Sequence, residues 1–455
     1  MMRHFANIAW LGVALVLSAT PFGATAAEFT VSPGDELQPV IERAASGDVV
    51  RLRAGTHRGP IEISKSVTLV GDDGAAIVGN GKGSVVTISG VGVAVRNLLI
   101  SGSGHDLVAL DSGVFAARTA EGAVIEANTI TDNLFGVYLH GAKDSVARGN
   151  RIVGYKEGRL SESGNGVTIW NAPGAKVIEN DISYGRDGIS TNASKRNVFH
   201  GNRFSDLRFG IHYMYTNDSE LSDNVSRGNA VGYAIMYSSR LKIVGNTSVG
   251  DRDHGLLLNY ANSSEIRGNS VIGKLQPLDR WRSAGARSAE HGLPASDAQE
   301  ASAGENRLGP EKCVFIYNAN KNKFIDNEFN GCAIGIHFTA GSEGNLMSGN
   351  SFISNRNQVK YVGTRYLDWS VKGRGNYWSD NPAFDLDGDG IGDNPYRPND
   401  LIDKVLWTSP QAKVLVTSPA VQVIRWAQAQ FPALLPGGVV DGHPLMRPSH
   451  KERIQ

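Results

Sequence analysis

Short runs in which apolar and polar residues alternate recur through the middle of the chain at a nearly constant interval. In Gly210-Ile-His-Tyr-Met214 the two-residue period of a strand sends Ile211 and Tyr213 to one side and His212 and Met214 to the other. Gly232-Tyr-Ala-Ile-Met236 repeats the pattern 22 residues later. An Asn marks one phase of the repeat at Asn128, Asn150, Asn180, Asn202, Asn224, Asn246, Asn269, Asn327 and Asn350. A Gly stands 14 residues before many of them: Gly136, Gly166, Gly188, Gly210, Gly232 and Gly255. Gly and Asn at fixed phase read as turn residues between short strands, whereas helical repeats need longer apolar runs at three-to-four spacing. The pattern predicts an all-β fold, a right-handed parallel β-helix. Inward pairs such as Val137/Leu139 and Ile211/Tyr213 stack from coil to coil, each buried aliphatic contributing roughly 1.5–3 kcal/mol.

The ends of the chain break the period. Leu37, Val40, Ile41 and Ala44 recur at helical spacing between Asp35 and Ala45, which predicts an N-terminal capping helix before the first short strands. Such a helix would shield the first rung from edge-to-edge pairing. Pro419 to Phe431 reads as a C-terminal amphipathic helix whose stripe Val423, Trp426, Ala427 and Phe431 suits either packing on the solenoid end or docking a partner. Two Asn-to-Asn steps are long. One implies a polar loop near Lys156–Ser163, the other an excursion over 274–311 read as a surface loop, in which His291 is more simply a solvated histidine than a ligand. The expected organisation is a signal peptide (1–26), an N-terminal cap with the first coils (27–96), coils (97–380), an acidic loop (381–403), and a helix with a flexible tail (404–455).

Composition adds compartment and little else. The 455 residues are 41% hydrophobic with a formal net charge of +0, so charge gives no reason to expect nucleic acid or an anionic membrane as partner. Arg3, the apolar run Ile8–Leu17 and the small residues Ala24-Thr-Ala26 form a secretory signal, too short in its apolar part to span a bilayer. Export follows, and the bacterial character of the repeats makes the periplasm the expected compartment. There an oxidised Cys313–Cys332 pair is open, although the two stand at different phases of the repeat, which favours two buried thiols.

Aligned on the Gly, the coils give two outward columns. One holds Tyr138, Thr168, Ser190, His212, Ala234, Leu257, Phe315 and His337; the other holds His140, Trp170, Asn192, Met214, Met236, Asn259, Tyr317 and Thr339, with Tyr215, Tyr237 and Tyr260 beside it. Parallel strands lie about 4.8 Å apart, so Met214 and Met236 can bring two thioethers to one ion, with His212 on the same face. Two thioethers and a neutral imidazole are soft donors suited to Cu(I). The same residues also read as an apolar patch for a partner or a covering loop. Further along, Asp385, Asp387, Asp389, the Ile391 carbonyl and Asp393 occupy places 1, 3, 5, 7 and 9 of an EF-hand-type loop, with Gly390 at the sharp turn. Hard oxygens suit a structural Ca²⁺, with Asp400 or Asp403 available to complete the shell. Tyr396 stands where an EF-hand has Glu, so an intact EF-hand is excluded.

Taken together, the coils, Gly375-Asn-Tyr-Trp-Ser-Asp380, Asp385-Leu-Asp-Gly-Asp-Gly-Ile-Gly-Asp-Asn-Pro-Tyr396 and Ser418-Pro-Ala-Val-Gln-Val-Ile-Arg-Trp-Ala427 resemble the NosD family, periplasmic accessory proteins of nitrous-oxide reductase maturation. The resemblance covers nearly the whole mature chain, and the two C-terminal stretches are its specific part. It implies a non-enzymatic β-helix attached to an ABC transporter's ATPase and permease subunits. Copper would be supplied to nitrous-oxide reductase, with a membrane-anchored copper chaperone as donor. On that likeness the Met214/Met236/His212 face becomes a Cu(I) relay, and Val423, Trp426 and Phe431 a permease contact. No family motif fixes these ligands; they rest on the column alignment. The rival is a pectate-lyase-like solenoid acting on uronate polymers, as a lyase, an epimerase or a glycan-binding module. No Asp-Pro-His-Asp run like that of alginate epimerases is present, and nothing in the sequence groups Asp187, Arg208 and His254.

Overall fold

A computed structural model describes residues 26–156, 159–277, 306–339, 341–361, 363, 365–415, 417–431 and 437–449. The signal segment, His291 and the centre of the 274–311 excursion lie outside the described residues.

The chain winds into a parallel β-solenoid of three sheets with 13, 12 and 13 strands. The first sheet runs from Glu28–Val31 to Leu346–Ser348, the 12-stranded one from Ile61–Ile63 to Asn357–Tyr361, and the third from Gly55–Arg58 to Tyr377–Trp378. Successive coils pair in parallel register, as in Ile211↔Tyr233 and Tyr213↔Ile235. The inward residues Val137, Leu139, Ile211, Tyr213, Tyr233 and Ile235 are buried in one continuous core.

Asn and Gly hold their phase for reasons other than turn formation. The Asn side chains point inward and form a ladder. Asn202 gives its backbone N–H and its Nδ2 to Asn224 Oδ1, at 3.0 and 2.9 Å. Asn224 repeats this to Asn246, and Asn246 to Asn269. Each amide also caps a carbonyl of its neighbouring coil, as Asn224 Nδ2 does with Phe199 O at 2.8 Å. The residue before the Asn carries the bend: Ala127, Glu179, Asp223 and Asp326 have φ between 53° and 55°. Gly188, Gly210 and Gly232 instead lie within strands where backbones crowd. A Cβ on Gly210 would sit 2.7 Å from the Gly232 carbonyl oxygen, so only hydrogen fits.

The helix Leu37–Arg43 buries Leu37 and Ile41 in the core. Cys313 and Cys332 are joined in a disulfide with a Cα separation of 5.6 Å, which corrects the expectation of two thiols. Both point into the interior, where residues of different phase meet across the coil. The 274–311 excursion is not loop throughout: Lys274–Pro277 pairs antiparallel with Asn306–Gly309 at its base.

The C-terminal end departs most from expectation. The tail is not loose through 437–455: Gly438–Val440 returns to pair in parallel with Tyr366–Asp368. This return strand places Asp441 at the end of the Asn ladder. Asp441 Oδ2 accepts from the Asn376 N–H at 2.7 Å and from Trp378 Nε1 at 2.8 Å. An acceptor-only group is what the last rung requires, because no further amide follows it. Beneath it Trp378 stacks on Phe352, with ring centroids 4.2 Å apart. A second helix, Leu401–Thr408, stands before Pro419–Gln430. Its capping box is Asp400 with Asp403, a signal present in the sequence.

Candidate functional site

The strands Asp187–Asn192, Phe209–Met214, Val231–Met236 and His254–Asn259 are neighbours in the 12-stranded sheet and carry the predicted columns in register. Met214 pairs with Met236, Asn192 with Met214, and Ser190 with His212. Both methionines and His212 are partly exposed on the outer face. The two thioethers therefore lie on adjacent rungs of one column, with the imidazole one column over. This soft donor set fits Cu(I) better than a hard cation.

The structure also groups residues that the sequence did not. Asp187 lies one rung from Phe209 and is buried. Arg208 grips it with two bonds, Nε to Oδ1 at 2.8 Å and Nη2 to Oδ2 at 2.6 Å. His212 Nδ1 lies 3.1 Å from the same Oδ2. Burial pushes the Asp187 carboxyl up, but the bond from His212 and the Arg208 charge outweigh it and hold it below its ordinary value. Phe209 closes the group, edge-on to His212 at 5.0 Å and under the Arg208 guanidinium at 4.3 Å. His254 does not join it; its ring lies tilted against Phe315 at 5.4 Å, which in turn meets His337 at 5.0 Å. Burial lowers both of these imidazoles to about 4, with repulsion from Lys312 at His254 and chiefly Lys360 at His337. His140 is enclosed by Phe115, Tyr138 and Trp170, away from the methionines.

Tyr215, Tyr237 and Tyr260 form an exposed stack beside the methionine column, with centroids 5.1 and 5.2 Å apart and rings nearly parallel. Their faces cover one another, so edges and hydroxyls meet solvent. The faces between the three rings are therefore closed to a sugar ring.

In the acidic loop, carboxylate oxygens of Asp385, Asp387 and Asp389 come within 4.8 Å of one another. Asp385 accepts from the Gly388, Asp389 and Gly390 N–H groups, and Asp393 from Leu386 N–H. Ile391 bridges to Leu445 of the returning tail. Asp400 and Asp403 do not complete a shell there. They cap the helix Leu401–Thr408, and Asp400 also accepts from Arg425. Tyr396 packs on Trp378 and donates to Asp380. On the helix Pro419–Gln430, Val421 and Gln428 are buried, while Val423, Trp426 and, at its end, Phe431 are exposed at 63%, 63% and 59%. The stripe is not packed on the solenoid end.

Residues 155–383 match the family described as periplasmic copper-binding protein (NosD). A "Probable ABC transporter binding protein NosD" of Stutzerimonas stutzeri is 40% identical over 400 residues, covering 87% of this chain and 86% of that protein. The chain belongs to the NosD family. A Pseudomonas aeruginosa NosD with the same description is 39% identical, covering 87% of each. Among solved structures, this NosD-family chain shares its fold with a Yersinia enterocolitica family 28 exopolygalacturonase. The TM-score is 0.51 at 12% identity, over 74% of this chain and 77% of that one. At that identity the likeness is one of fold alone. No helix among the described residues is long and apolar enough to cross a membrane.

Proposed function

We propose that this chain receives Cu(I) in the periplasm on the Met214/Met236/His212 face and hands it on for nitrous-oxide reductase maturation. The observation that carries the reading is the rung pairing of Met214 with Met236, with His212 on the same outer face, in a member of a copper-binding family. Met214 and Met236 would supply thioethers and His212 its imidazole; Cu(I) is the cargo, taken from a membrane-anchored chaperone. The relatives' printed association with an ABC transporter supports attachment to permease and ATPase subunits. The exposed Val423, Trp426 and Phe431 suit the permease contact. The helix Leu37–Arg43 acts as the N-terminal cap. The reading assigns no catalytic residue.

Replacing both methionines with Leu conserves apolar volume and removes the soft donors. Cu(I) affinity in competition with a chromophoric chelator should fall at least about 100-fold, and unchanged affinity would overturn the copper reading. A structural Ca²⁺ on Asp385, Asp387, Asp389, Ile391 and Asp393 would tie the acidic loop to the returning tail. Chelation should then lower the melting temperature, and an identical melt with and without chelator would remove Ca²⁺ from the account.

A further inference from the structure

We infer that Asp187 is a positioning residue for the copper face, holding His212 as the tautomer whose Nε2 lone pair is available to a metal, with Arg208 locking the carboxylate in place. The inference deepens the copper reading and rests on it.

The donor and acceptor inventory decides the tautomer. Arg208 directs one N–H to each oxygen of Asp187, at 2.8 and 2.6 Å. A carboxylate held in that fork acts as an acceptor. His212 Nδ1 is 3.1 Å from Oδ2 and 3.5 Å from Arg208 Nη2. Nη2 already donates to Oδ2 at 2.6 Å, so the shorter contact, to the carboxylate, is the one Nδ1 makes, and it must bring a proton to make it. A neutral imidazole protonated at Nδ1 has its lone pair on Nε2. Histidine ligands characteristically give their other nitrogen's proton to a carboxylate or carbonyl, which fixes the ring and strengthens the ligand. The carboxylate is immobile here: its side chain is 2% exposed, against 15% for His212 and 22% for Arg208. Phe209, edge-on at 5.0 Å, restricts the imidazole from a second side. His212 and Met214 share the outward side of one strand, and Met214 pairs with Met236. The ordered ring therefore belongs to the same face as both thioethers. An ion pair serving stability alone needs only Asp187 and Arg208. The third bond, to a partly exposed histidine two residues from a methionine, points to a ligand.

Tests use the full mature chain. In the copper-free protein labelled with ¹⁵N-histidine, His212 should show the Nδ1–H tautomer, and Asp187→Asn should shift it towards a mixture. Asp187→Asn should also weaken Cu(I) binding roughly 10- to 100-fold in the chelator competition, the range for lost outer-sphere partners. An Nε2–H tautomer in the wild type overturns the inference, as does Asp187→Asn binding within about two-fold of wild type while the methionine double variant has lost binding. If the methionine double variant also binds normally, the copper reading itself has failed, and Asp187 positions no copper ligand. Should Asp187→Asn not fold because Arg208 is left unpaired, Asp187→Asn with Arg208→Gln removes the stranded cation and is read in the same way.

Discussion

Asp441→Ala should open the C-terminal end of the solenoid without unwinding its middle. The side chain is fully buried and terminates the Asn ladder. Its removal strands the Asn376 N–H, bound at 2.7 Å, and the Trp378 Nε1–H, bound at 2.8 Å, both in buried residues. An unsatisfied buried donor costs about 1–3 kcal/mol, so the two together cost about 2–6 kcal/mol. Solenoid coils chiefly contact their neighbours, so this cost falls on the last coil and the returning strand rather than on the whole stack. Hydrogen exchange reads it directly: amides of residues 376–378 and 438–445 should exchange about 30-fold faster or more, at about 1.4 kcal/mol per decade, while those near Met214 stay unchanged. Asp441→Asn keeps one acceptor and should lose less. If the end amides in Asp441→Ala slow or move by less than about three-fold, the ladder's end does not depend on the carboxylate.

Two other perturbations test the stack. His254 and His337 are both held near pH 4, below the ordinary imidazole value, so the folded chain binds fewer protons there than the unfolded one. Their share of stability is whole above about pH 6.5 and is lost as pH falls towards 4, up to roughly 3 kcal/mol at His254 and less at the more open His337. Melting temperatures between pH 7 and 4.5 should fall less steeply for His254→Gln/His337→Gln than for wild type; equal slopes would exclude these histidines as acid-sensitive groups. Gly210→Ala and Gly149→Ala should differ in kind. The first drives a Cβ to 2.7 Å from the Gly232 carbonyl oxygen and should leave little soluble protein. The second meets open space at a φ of +61° and should cost about 1–2 kcal/mol in a urea titration.

The face was legible because strand alternation and a 22-residue interval are both local patterns. Together they put Met214 on Met236 and His212 outward. The Asp187–Arg208–His212 group was not. Asp187 precedes its coil's Gly and Arg208 ends a connection, so their meeting depends on register between rungs and on side-chain direction, neither of which the repeat encodes. The returning strand was hidden for a plainer reason. Tyr366–Asp368 and Gly438–Val440 pair across some 72 residues without a repeat to align them. Leu401–Thr408 is announced by its Asp400/Asp403 capping box, but the same two carboxylates also suit a cation shell, and the sequence does not choose between the two. For the Asn series, spacing gives the phase but not the role: inward direction comes from the left-handed residue before each Asn.

Because every rung repeats the same vertical step, the solenoid doubles as a ruler. Four steps lead from Val231–Met236 to the last strand of its sheet, through His254–Asn259, Lys312–Tyr317 and Ile334–Phe338 to Asn357–Tyr361. At about 4.8 Å per step, Met236 stands about 19 Å and Met214 about 24 Å along the axis from the end that bears the exposed helix. Excising one coil would bring the two closer by a single step and leave the chemistry of each intact. Reach between a donor on the face and a machine gripping the helix is thus set in whole coils, and chain length there is a geometric parameter rather than filler.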